Sequence, residues 1–72
     1  MTDTNKLKAA LALKGMTAGD LADMIGMSRQ SISYKMNNIR EFRVKEIIAI
    51  SEALNLTLEE KEAIFFADKV DE

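Results

Sequence analysis

Apolar residues recur along this chain at intervals of three and four, in short runs separated by polar or glycine breaks. That spacing is the mark of helices that bury one face. The first run spans about residues 5–14, where Leu7, Ala10, Leu11 and a snorkelling Lys14 share a side. Thr4 precedes it as a helix cap, and Gly15 follows as a left-handed stop. The second covers about 17–25. Thr17 and Asp20 make a short capping box, Leu21, Met24 and Ile25 give the stripe, Ala22 is a small packing residue, and Gly26 ends the run. The fourth, about 44–54, carries the most regular stripe: Val44, Ile47, Ile48, Ser51 and Leu54, widened by Ile50 and stopped by Asn55. The fifth, about 58–67, opens on the capping box Thr57/Glu60. It holds Ile64, Phe65 and Phe66 in a row, which one helix face cannot bury together. The polar end, 68–72, reads as a frayed tail. The pattern predicts an all-α fold, a compact bundle of five short helices forming a single domain over 1–72.

The third helix, about 28–37, has a different character. Ser28 caps it, Ile32 and Met36 turn inward, and Lys35 lies along their edge. Arg29, Gln30, Ser33, Tyr34 and Asn37 fall on the other side at about 100° per residue. The outward face is therefore almost wholly hydrogen-bonding side chains. The second and third helices form one unit. A two-turn helix ends at Gly26, Met27 plugs the turn, and the next helix starts at once, with Ala22 permitting the close crossing. This is a helix-turn-helix, in which the second helix can enter a DNA major groove.

Composition narrows the chemistry. The 72 residues include no cysteine and no histidine. This excludes disulfide scaffolds, zinc fingers, and Cys–His or Ser–His catalysis. Ser28, Ser31 and Ser33 have no base to activate them. The longest apolar run, Ala9 to Leu13, is far below the roughly 20 residues that span a bilayer. The opening Met1-Thr2-Asp3-Thr4 lacks the basic stretch of a signal peptide. The net charge of −2 hides an asymmetry. Residues 1–45 carry eight basic and four acidic side chains, and residues 46–72 carry two and eight. One half is suited to an anionic partner and the other to solvent.

The stretch Met16 to Asn37, MTAGDLADMIGMSRQSISYKMN, resembles the phage-repressor, lambda-repressor/Cro-like helix-turn-helix family. The amphipathic fourth helix, Leu54-Asn55-Leu56-Thr57, and the end Glu62-Ala63-Ile64-Phe65-Phe66 extend the resemblance over most of the chain. It implies a cytoplasmic transcriptional regulator of a bacterial or phage-infected cell, a repressor that binds double-stranded operator DNA as a homodimer. It carries Arg29 and Gln30 to base edges, Arg suiting guanine and Gln adenine, with Ser33 and Tyr34 on the next turn. Thr17 and the amides of Ala18 and Gly19, at a helix N-terminus, match phosphate contacts, as does Ser28. Asn37, Asn38, Arg40, Arg43 and Lys45 resemble a second backbone clamp. Asn38 stands near the place where the family often has a glycine. Ile64, Phe65 and Phe66 are the expected dimer contacts, one phenylalanine closing the monomer core and the other crossing the two-fold axis.

A rival reading keeps the fold and changes the partner. It is a protein-interaction module, an antitoxin- or anti-repressor-like adaptor, drawing on the acidic second half and the Phe65-Phe66 pair. An enzyme is not expected, since the chain has no nucleophile–base pair and no glycine-rich phosphate loop. The expectation is accordingly no cofactor, no metal, no membrane and no small-molecule effector.

Overall fold

Caps decide where each helix begins. In the computed structural model, which describes residues 1–67, the helices are α1 Thr4–Leu13, α2 Ala18–Ile25, α3 Arg29–Met36, α4 Val44–Ala53 and α5 Leu58–Phe65. The described residues contain no strand, and no helix among them is long and apolar enough to cross a membrane. The 68–72 tail lies outside the described residues. Thr17, Ser28 and Thr57 cap α2, α3 and α5 as their sequences predict, each side chain accepting an N–H three residues on. The start of α1 differs from expectation. Asp3, not Thr4, is the cap, its carboxylate accepting from Lys6 N–H at 3.1 Å. A carboxylate there also meets the positive end of the helix. The first turn of α4 has half a capping box: Arg43 N–H donates to Glu46 Oε1 at 2.8 Å.

The first four helices stop in the same way. Gly15, Gly26, Asn38 and Asn55 all take positive φ, at 68°, 76°, 59° and 53°. After α3, Ile39 N–H donates to Tyr34 C=O and Asn38 N–H to Lys35 C=O, the paired bonds of a Schellman motif. Asn38 thus takes the left-handed place, φ 59°, and its Nδ2 also donates to Thr2 C=O at 3.3 Å. That bond ties the end of α3 to the N-terminal segment, which Asp3 N–H fastens to Ile64 C=O.

The α2 helix is the hub. It packs on both α3 and α4, while α1 pairs with α5. Leu21 and Ala22 of α2 are fully enclosed, as are Leu7, Ile32, Ile50 and Leu54 from the other helices. Each of the leucine and isoleucine side chains contributes about 1.5–3 kcal/mol. Three expectations about burial are corrected. Met24 is 60% exposed, because α2 turns Leu21 and Ala22 inward and leaves Met24 outside the crossing. Val44 and Ile48 are 72% and 49% exposed, because the buried arc of α4 centres on Ile47, Ile50 and Leu54. Lys35 is buried rather than at an edge. Phe42 from the α3–α4 loop joins the core unforeseen, its ring edge-on to Phe65 with centroids 5.6 Å apart. It occupies the position before the Arg43 cap, and Ile47 occupies the fourth helical position, so the two buried residues follow the hydrophobic-staple pattern.

Ile50 and Ser51 are neighbours with opposite expected effects. Ile50→Ala removes a fully buried side chain and should cost about 2–5 kcal/mol in urea unfolding. Among the described residues, Ser51 Oγ is buried without a hydrogen-bond partner. Ser51→Ala should therefore raise stability, by about 1 kcal/mol.

Candidate nucleic-acid interface

The outward side of α3 resolves into two rows four residues apart. Gln30 and Tyr34 make one, with Gln30 Nε2 donating to Tyr34 Oη at 3.1 Å. The Arg40 guanidinium lies over the Tyr34 ring, 5.7 Å from its centroid, so the cation–π contact extends this row into the loop. Arg29, Ser33 and Asn37 make the other row, with Asn37 Nδ2 donating to Ser33 C=O at 2.8 Å. All six side chains are exposed. They are held by one another and still present donors and acceptors to solvent.

Arg29 is held from a second helix. Its Nη2 donates to Asp23 Oδ2 of α2 at 3.1 Å, and the two side chains remain 70% and 64% exposed. Its guanidinium also lies against Gly19, where a Cβ would meet Cζ at 3.0 Å. The bare backbone of Gly19, expected to admit a phosphate, is thus partly covered by Arg29.

The start of α2 meets the Arg29 row. Thr17 N–H donates to Asp20 Oδ2 and Asp20 N–H to Thr17 Oγ1, each at 3.0 Å. The Thr17 backbone N–H, then its hydroxyl, hold the Asp20 carboxyl below its ordinary pKa, and the Arg29 charge adds to the effect. The capping box satisfies the Asp20 amide and leaves those of Ala18 and Gly19 with no acceptor within the helix. The Ser28 hydroxyl accepts a cap bond and retains its proton for donation. A groove of about 510 Å³ runs here between α1, α2 and α3, lined among others by Lys8, Ala18, Gly19, Arg29, Ser33 and Asn37. Lys8 was not singled out in the sequence. Its one signal is its charge, on an exposed position beside the Leu7/Leu11 stripe of the first helix.

Behind the face, Lys35 Nζ reaches both oxygens of Glu46, at 2.7 and 2.8 Å. The pair fastens α3 to the first turn of α4, next to the exposed Arg43 and Lys45. Arg40, Arg43 and Lys45 are all solvent-facing, whereas the Asn38 amide is turned to Thr2. Burial opposes ionisation of Glu46. The hydrogen bonds from Lys35 and from Arg43 N–H, with the charges of both residues, outweigh it and hold the carboxyl below its ordinary pKa.

The expected dimer contacts separate. Ile64 and Phe65 are 3% and 4% exposed within the single chain, packed into its own core, so neither is available to a partner as placed here. Phe66 is half-buried and packs against the same core.

The helix-turn-helix family model matches residues 7–61, from α1 into α5. No curated protein and no solved structure matches the chain.

Glu46 gives a pH test. Its folded pKa lies below the unfolded value of about 4.5, so its stabilisation is complete above that value and is lost as pH falls through the lowered folded one. Glu46→Gln should therefore be less stable than wild type near neutrality. Urea unfolding should show the two converging as pH falls below that unfolded value.

Proposed function

The chain belongs to the helix-turn-helix family, the phage-repressor type of DNA-binding regulator, and we propose that it is a repressor acting as a homodimer on a near-palindromic operator. Its role is regulatory rather than catalytic, and its place of action is the cytoplasm. The observation that carries this reading is the exposed, internally hydrogen-bonded face of α3 with cations on its flanks. Arg29 and Gln30 read base edges from the first turn, and Ser33 and Tyr34 from the second. The α2 N-terminus with Thr17, Ala18 and Gly19 holds one phosphate strand, supported by Lys8, Ser28 and Asn37. Arg40, Arg43 and Lys45 hold the other. Asn38 contributes the left-handed turn that aims this loop. A two-fold axis would set the two α3 helices about 34 Å apart, one turn of DNA. With Ile64 and Phe65 committed to the monomer core, Phe66 is the member of that triplet at the surface for a symmetric contact.

The test is anisotropy titration over a salt series, using random duplex and a duplex enriched by the protein from a randomised pool. The expected result is a steep inverse salt dependence and a large preference for the enriched site. Arg29→Ala should cost about 1–3 kcal/mol at that site, whereas Arg43→Ala should weaken all duplexes alike and lower the salt slope by about 1. Failure to enrich any sequence, with no salt-dependent binding, would overturn the reading in favour of the protein-binding adaptor.

A further inference from the structure

Arg29 is the first residue of α3, yet two features of α2 fix its guanidinium. Asp23 accepts from Nη2 at 3.1 Å, and Gly19 offers a surface without a side chain, so close that a Cβ there would stand 3.0 Å from Cζ. Asp20, on the same first turns, is near enough for its carboxyl to feel the Arg29 charge. An exposed arginine ordinarily samples many rotamers and is drawn to any phosphate in reach. Here the hydrogen bond to Asp23 and the close bed of Gly19 favour one placement, and the charge faces two carboxylates.

We propose that Asp23 is a positioning residue for base recognition: with Gly19 as the bed, it holds the Arg29 guanidinium for a bidentate contact to guanine and cancels its attraction to phosphate elsewhere. The inference rests on the DNA-reading role of α3 proposed above. Asp23 engages one of the five guanidinium N–H donors, and the side chain keeps most of its surface open, so two donors remain for the O6 and N7 acceptors of one guanine. Ordering the side chain before binding removes that entropic cost from the complex. A carboxylate at the DNA surface also repels phosphates wherever no guanine rewards the approach. Both effects favour the correct site over random sequence. Asp23 thus exchanges general affinity for discrimination at one base pair.

Two variants test this by independent routes. Asp23→Asn removes the charge at an exposed position. Gly19→Ala adds a Cβ that makes the guanidinium give way by a few tenths of an ångström from its bed, at a helical position with no positive φ, where alanine favours the helix. Wild type would first enrich a duplex from a randomised pool. Each guanine in that duplex would then be replaced in turn, and all proteins titrated at fixed salt. One guanine should be identified by the loss of its effect in Arg29→Ala. At that guanine alone, Asp23→Asn and Gly19→Ala should each lower discrimination by roughly tenfold. Asp23→Asn should bind random duplex several-fold tighter than wild type, and Gly19→Ala should melt no lower than wild type. Retained discrimination in Asp23→Asn would overturn the inference and leave the DNA-reading role standing. So would a loss spread evenly over all positions in both variants, which is the signature of an obstructed phosphate. If wild type enriches nothing and binds no duplex, the DNA-reading role itself fails and takes this inference with it.

Discussion

A helix that must present its outer side to a partner has few residues left to anchor it, and the structure is organised around that constraint. The α3 helix has eight residues and buries two apolar side chains, Ile32 and Met36. These alone would leave a short helix free to roll on its neighbours. Two further restraints complete its seat. Ala22, fully enclosed, lets α2 approach closely, and Lys35 reaches both oxygens of Glu46 in the first turn of α4. The ion pair does more than add energy. Removing either partner would strand a largely enclosed charge, so the pair fixes one relation between α3 and α4. Glu46 also receives Arg43 N–H, so one carboxylate relates the base-facing helix to the start of the basic loop's helix.

The same economy recurs at the helix ends. Four short helices reverse direction within a few residues, and each does so through a left-handed residue. Gly15, Gly26 and Asn55 take that role at the ends of α1, α2 and α4. Asn38 takes it too, and its side chain reaches the Thr2 carbonyl and ties the end of α3 to the N-terminal segment. A glycine there would permit the turn and lose the tie.

Much of this was legible in the sequence, because caps, stops and periodicity are local. Thr17/Asp20, Ser28, Thr57/Glu60, Gly26 and Asn55 each announce a boundary through hydrogen bonds that span three or four residues. The misplacements came where burial depends on which neighbour is present. A stripe shows which residues could face a core, and the positions of the other helices decide which do. Val44 and Ile48 lie beyond the arc of α4 that packs inward, and Met24 lies beside it on α2. Ile64 and Phe65 are claimed together by the core because Phe42, supplied by a loop with no periodicity, meets Phe65 edge to face. Of the candidate site, the residue types and their common face were readable. The pairings among them were not, since Arg29–Asp23 and Lys35–Glu46 join different helices.

Whole-chain charge is a poor guide to what such a small domain can approach. The net charge of −2 is unfavourable for a nucleic-acid partner. Yet Asp3, Asp20, Glu46 and Glu60 each accept a backbone N–H at the start of a helix. There the positive end of the helix offsets the carboxylate. These charges set helix boundaries and act over a turn. Glu59, Glu60 and Glu62 lie on α5, which packs against α1, whereas α3 packs against α2. What a phosphate backbone meets at short range is the local arrangement of Arg40, Arg43, Lys45 and Lys8. Beyond a Debye length of about 10 Å the remainder is screened. Two acidic residues, Asp23 of α2 and Glu41 of the basic loop, neither cap a helix nor belong to the acidic end of the chain, and Asp23 is the one paired to the outward face of α3. It touches the first residue of the base-facing helix, where a negative charge acts on specificity rather than on the fold.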